Sequence, residues 1–173
     1  DQEGDYDVLD AGRTLARIYG ERDLLISECL REGVWKNLDA PSLAAVAASL
    51  VYEARRDEEW EPRVPKGNFA EVIETTQDIW HELEELSRHH KLRQTPPLDL
   101  SLALPIHRWA SGARLDTVLD SADLLAGDFI RWTKQIIDLL DQIAQTADSG
   151  LAETAKLAVT KVKRGIVAYS YYG

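Results

Sequence analysis

The longest regular alternation of apolar and polar positions runs through Ala122–Asp148. Phe129, Ile130, Thr133, Ile136, Ile137, Leu140, Ile143, Ala144 and Ala147 recur at three- and four-residue steps, which predicts an amphipathic helix with one buried face. Asp123 or Asp128 is placed to cap its start and Ser149-Gly150 to stop it. The opposite face carries Arg131, Lys134, Gln135, Asp138, Gln142 and Gln145 at the same spacing, with Trp132 on the flank. That stripe has two readings. It is either a solvated outer face or the polar lining of a groove that holds a single nucleic-acid strand.

The same periodicity predicts further helices. Asp23–Glu32 turns Leu24, Leu25, Ile26, Cys29 and Leu30 inward and stops at Gly33. Asp39 is an N-cap and Pro41 a first-turn residue for Ala40–Glu53, whose alanines suit close helix–helix contact. From Asn68 to about Arg93, the positions Phe69, Val72, Ile73, Thr76, Ile79, Trp80, Leu83, Leu86 and His90 form a seam on a helix roughly 35–40 Å long. Arg55–Asn68 reads as an exposed loop and Gln94–Pro105 as an extended connector. Ile106–Ser111, closed by Gly112, and Leu115–Ser121 are short helices; the second, a turn and the long helix make a helix-turn-helix outline. Leu151–Arg164 closes the helical part, and the apolar, tyrosine-rich Ile166–Tyr172 is expected to pack down. At the other end, a strand at Tyr6–Leu9, a turn at Asp10–Arg13 and a short helix to Gly20 look like the tail of a preceding small domain. The fold class is therefore an all-α helical bundle.

Composition limits the chemistry. With 173 residues and 45% hydrophobic content, the chain can bury one sizeable core. One cysteine, Cys29, excludes an internal disulfide framework and fits the reducing cytoplasm. The longest apolar run, Leu43–Tyr52, is half of what a membrane span needs, so no membrane partner is expected. The chain starts with Asp1 and shows no signal peptide, as an excised piece of a longer polypeptide would. The net charge of −10 argues against a free-standing nucleic-acid binder. Acid gathers in Asp1–Asp7 and Arg56–Glu85, however, and positive charge at Arg88–Arg93, Arg131/Lys134 and Lys156–Arg164, which leaves room for a neutral or basic groove.

No GxxxxGK[ST] or GxGxxG phosphate loop is present, so no nucleotide site can be built from this chain. His81, Glu85 and His89 share a helical face, but without HExxH or paired Glu-x-x-His spacing they are expected to be solvated, and no metal site is expected. Cys29 reads as a buried small hydrophobe. No carboxylate pair stands out, and no catalytic residue is assigned.

Several segments carry a resemblance. Leu24-Leu25-Ile26-Ser27-Glu28-Cys29-Leu30-Arg31-Glu32-Gly33-Val34-Trp35, closing on Asn37-Leu38-Asp39, resembles the opening of the DSHCT domain, the carboxy-terminal domain of superkiller-like, exosome-helper ATP-dependent RNA helicases. Gly12-Arg13 with Ile18–Asp23 resembles the join from a winged-helix domain, which places a winged-helix remnant at 1–20 and the DSHCT bundle at 21–173. Leu50-Val51-Tyr52-Glu53, Trp109-Ala110-Ser111-Gly112, Asp123–Arg131 and Lys163-Arg164-Gly165-Ile166-Val167 resemble later family segments in order. The methionine-free, alanine-rich style is similar to the bacterial branch.

The resemblance implies a function. Family motor domains outside this chain bind ATP and Mg and pull single-stranded RNA through a ring, which the winged helix and this bundle complete. The long helix lines the exit path, a role carried onto Arg131, Lys134 and Asp138. Gln135 stands where the family has a base-contacting arginine, and Trp132 is placed either to stack on a base or to pack against a neighbouring helix. Implied partners are single-stranded RNA, with DNA left open, the motor and winged-helix domains, and an RNA-degradation partner. Two other classes compete: an all-helical protein–protein adaptor docking a helix on the Phe69–His90 seam, and a DNA-binding regulator using Leu115–Gln135, which has few cations for that task.

Overall fold

A computed structural model describes residues 22–53 and 61–172. Every regular element among them is helical: α1 (Asp23–Glu32), α2 (Ala40–Val51), α3 (Phe69–His89), a 3-10 turn (Leu100–Leu102), α4 (Ala103–Ala110), α5 (Leu115–Ala122), α6 (Ala126–Thr146), α7 (Ser149–Val162) and α8 (Gly165–Tyr169). The strand, turn and short helix expected before Gly20, and with them the winged-helix remnant, lie outside the described residues, as does the loop segment 54–60. No helix among the described residues is long and apolar enough to cross a membrane.

The described residues divide into two compact units, one of residues 22–35 and 71–97, the other of 36–53, 61–70 and 98–172. In the first, α1 meets α3 around polar-capped aromatics. The Trp35 indole N–H donates to the Thr76 hydroxyl (3.1 Å), which donates in turn to the Val72 carbonyl (2.8 Å). Cys29 is fully buried beside Thr76, and burial pushes its thiol up to about 12, so it is an inert core residue. Gly33 ends α1 in the left-handed conformation. The residue types at Leu25, Cys29 and Trp35 therefore serve packing.

Helix α3 stops at His89, four residues before the expected end, because Lys91 turns left-handed (φ 56°) and the Leu92 N–H reaches back to the Ser87 carbonyl (2.8 Å). Its 21 residues span about 31 Å. His90, expected in the seam, is exposed; Ile73, Thr76, Ile79, Leu83 and Ser87 form the buried face. The following chain is tied down by Thr95, whose N–H and hydroxyl donate to Glu84 (3.0 and 2.6 Å) and whose hydroxyl accepts from the Trp80 indole (2.9 Å).

The second unit is organised around α2, not around the longer α6. Ten of the twelve α2 residues are buried, the pattern of a helix enclosed on all sides. Its alanines let α4, α6 and α7 all pack on it. Asp39 caps it by accepting from the Ser42 N–H (2.9 Å). Pro105, expected in an extended connector, falls in the first turn of α4, where a missing N–H costs nothing.

Two expected caps are reassigned. Asp123 adopts the left-handed conformation (φ 53°) that closes α5, and α6 starts after Leu125 with no side-chain cap. Asp148 accepts from the Leu151 N–H (3.4 Å), so Ser149-Gly150 open α7; α6 ends at Thr146. The helix-turn-helix outline forms as α5, a turn at Asp123–Leu125, and α6. At the end of the chain Val167 is buried, but Tyr169 and Tyr172 stay exposed, contrary to the expected packing of that whole segment.

Candidate nucleic-acid interface

The polar edge of α6 is positioned by a joint built on Trp109. This indole is 2% exposed, lies edge-on to Phe129 at the start of α6 (centroids 5.4 Å apart, 83° between planes) and donates its N–H to the Val162 carbonyl at the end of α7 (2.8 Å). The Arg164 guanidinium sits 3.6 Å from the ring centroid and donates from Nε and Nη2 to the Trp109 carbonyl (3.0 and 2.7 Å). Gly165 then takes φ +50°, and a Cβ there would lie 3.5 Å from the Trp109 ring. Trp109-Ala110-Ser111-Gly112 and Lys163-Arg164-Gly165, 50 residues apart in the chain, are two halves of one contact that locks α4, α6, α7 and α8 together.

With Phe129 pinned, the periodicity of α6 sets the rest. Phe129, Thr133, Ile136, Ile137, Leu140 and Ile143 are buried; Arg131, Gln135, Asp138 and Gln145 are exposed, and Lys134 and Gln142 half-buried. The structure thus leaves the stripe on the accessible side of the helix along nearly four turns.

The expected site residues have different surroundings. Arg131 pairs with Asp128 one turn earlier (3.2 Å) and stands 5.7 Å from the centroid of the Trp132 ring. Both partners of this ion pair are about half exposed, so the pair contributes little and exchanges readily. Trp132 is half-buried and packs edge-on against Tyr52 (5.0 Å, 76°), which accounts for the aromatic of Leu50-Val51-Tyr52-Glu53. Gln135 and Asp138 are exposed on the same edge. Lys134 is held by the chain's own end: its Nζ donates to the Ser170 carbonyl (3.2 Å) and lies 4.9 Å from the Tyr171 ring centroid.

Sequence reasoning missed the second cation at this ring. Lys163 Nζ stands 4.1 Å from the Tyr171 centroid, so Tyr171 bridges α6 and the end of α7. Burial, reinforced by the carboxylates of Asp138 and Asp141, raises the Tyr171 hydroxyl above the ordinary tyrosine value. The signal was present in the basic Lys156–Arg164 cluster running into a tyrosine-rich end, but helical periodicity does not relate residue 171 to residue 134.

The edge therefore offers a guanidinium, an amide, a carboxylate and ammonium groups beside aromatic rings. That set can hydrogen-bond and stack. Among the described residues no three His, Cys, Asp or Glu side chains are placed to hold a metal ion.

Comparison with known proteins matches this sequence to a family. The profile of the DSHCT (NUC185) domain matches residues 5–170. The probable helicase HelY of Mycobacterium leprae is 38% identical over 176 residues, covering 95% of this chain and 19% of that protein. The chloroplastic DExH-box ATP-dependent RNA helicase DExH15 of Arabidopsis thaliana is 28% identical over 145 residues, 82% of this chain and 12% of that protein. The human exosome RNA helicase MTR4 is 25% identical over 165 residues, 90% of this chain and 16% of that protein. The chain spans about a fifth or less of the length of these helicases. Its helical fold, its joined motifs and the match over nearly its whole length place this chain in the DSHCT (NUC185) domain family.

Proposed function

We propose that this chain is the accessory helical domain of an ATP-dependent RNA helicase, and that the exposed edge of α6 lines the path of the single strand. ATP and Mg act in motor domains outside it; the chain's own part is to guide. Arg131, Lys134, Gln135 and Asp138 supply hydrogen bonds to bases and backbone, and Trp132, braced by Tyr52, stands beside the Arg131 guanidinium. Unstacked bases and backbone are the features by which proteins hold single-stranded RNA.

The observation that supports this reading most is the exposure of Arg131, Gln135 and Asp138 along one edge of α6 while the opposite face is buried. Weak grip suits a wall past which a motor must slide its strand. Arg131 exchanges Asp128 for a phosphate at little cost, and neighbouring carboxylates limit how tightly a backbone is held. Thr76 and Trp80 of the α3 seam are engaged by Trp35 and Thr95, which favours this reading over an adaptor that docks a partner helix there.

The test is the Arg131→Ala/Lys134→Ala double variant in the full-length protein. RNA-stimulated ATPase or unwinding falls, while the helical content holds and the melting temperature drops only by the loss of the Lys134 contacts to Ser170 and Tyr171. An unwinding rate equal to that of the unmodified protein would remove the α6 edge from the path.

A further inference from the structure

The end of the chain carries an unusual surface. Five large hydrophobic side chains are exposed among the described residues, and three of them are Tyr169 (78%), Tyr171 (39%) and Tyr172 (88%). Three apolar-bodied rings in a four-residue segment are costly to hold in water and mark a contact surface. This segment is fastened in place: Ser170 N–H bonds to the Ile166 carbonyl (3.1 Å), Tyr171 N–H to Ala168 (3.2 Å) and Tyr172 N–H to Tyr169 (3.0 Å). Below it, Lys134 and Lys163 grip Tyr171 from α6 and from the end of α7. Tyr171 is thus the anchor, and Tyr169 and Tyr172, one turn apart, are left outward beside the α6 edge.

We propose that Tyr169 and Tyr172 form a stacking platform for unpaired bases of single-stranded nucleic acid, extending the α6 edge to the end of the chain. The inference rests on the strand-lining reading given above. Exposed rings on either side of a tyrosine flanked by two lysine ammonium groups are what a sequence-tolerant single-strand surface needs, since every base has a π-face and each phosphate a negative charge. Asp138 and Asp141 near the Tyr171 hydroxyl offset the two lysines, so the platform holds bases by stacking more than it holds phosphates by charge. Binding there is therefore less salt-dependent than at a basic groove.

The experiment uses full-length protein and a 4-thiouridine-substituted RNA 20-mer, with adducts mapped by mass spectrometry. It compares the unmodified protein with Tyr169→Ala/Tyr172→Ala and Tyr169→Phe/Tyr172→Phe. An adduct on Tyr169 or Tyr172 is expected. The RNA concentration giving half-maximal ATPase stimulation should rise roughly five-fold or more in the alanine variant and be restored in the phenylalanine variant, which keeps the rings. Adducts confined to α6, with an unchanged alanine variant, would overturn the platform and leave the strand-lining reading standing. Absence of adducts from both α6 and the tail would overturn both. Protection of the two tyrosines from chemical iodination without RNA would show them docked on another part of the protein and would also overturn the platform.

Discussion

Replacing Arg164 by alanine tests whether the Trp109 joint holds α6 and the closing helix in register. The guanidinium donates to the Trp109 carbonyl at 3.0 and 2.7 Å, donates to the Ala113 carbonyl, and covers the indole at 3.6 Å. A hydrogen bond with one charged partner contributes about 1.5–3 kcal/mol, and a cation–π contact about 0.5–2 kcal/mol. These do not add, because the side chain is only half-buried and water replaces part of what is lost. Arg164→Ala should therefore cost about 2–4 kcal/mol. Arg164→Lys keeps the charge but loses the planar fork, and should cost about half as much. For a chain of this size a loss of ~3 kcal/mol lowers the melting temperature by about 6–12 °C. Urea unfolding followed by tryptophan fluorescence measures it, with the midpoint falling at constant slope. A double-mutant cycle with Trp109→Phe should show coupling of at least ~0.5 kcal/mol. A loss below about 0.5 kcal/mol for Arg164→Ala, or strict additivity with Trp109→Phe, would refute the joint.

Stability should fall on acidification below pH 6.5. Burial holds His107 below its ordinary value of 6.5 against the pull of Asp39, so the unfolded chain takes the proton first and gains from it. Asp39 acts in the same direction at lower pH. Burial raises its carboxyl, but the Ser42 hydroxyl and N–H with His107 and Lys161 outweigh this and hold it below 3.8, so its contribution is lost as pH falls through that lowered value. His107→Gln should flatten the loss just below pH 6.5 in urea midpoints; a variant whose midpoint falls between pH 7 and 5 as steeply as that of the unmodified protein would contradict the assignment. Cys29 should resist iodoacetamide in the native protein at pH 8 and react on addition of denaturant, and native labelling at the unfolded rate would show that it is not buried. Gly165→Ala should cost about 1–2 kcal/mol, because φ +50° strains any Cβ even though the 3.5 Å approach to Trp109 is tolerable; an unchanged midpoint would mean that the turn relaxes freely.

Much of this protein follows from local rules. The spacing of Phe129, Thr133, Ile136, Ile137 and Leu140 dictates which face of α6 is buried, and with it the exposure of Arg131, Gln135 and Asp138, because a 3.6-residue repeat leaves no other arrangement. Asp39 caps α2 and Gly33 ends α1 for equally local reasons. The family was legible as well, since its short segments keep their order and spacing. Boundaries followed less closely: Asp123 can cap one helix or close another, and Asp148 competes with Ser149-Gly150, choices that depend on where the neighbouring chain runs.

Only tertiary structure decided the rest. Ten buried positions make α2 the centre of its unit, which a run of alanines does not announce, because alanine is as good a helix former in water as in a core. Nothing in the sequence pairs Trp109 with Arg164, Trp132 with Tyr52, or Tyr171 with Lys134 and Lys163. Three of those contacts join residues 37 to 80 positions apart, and the fourth, Tyr171 with Lys163, closes over the intervening α8; all depend on packing geometry, which a one-dimensional pattern of polarity does not encode.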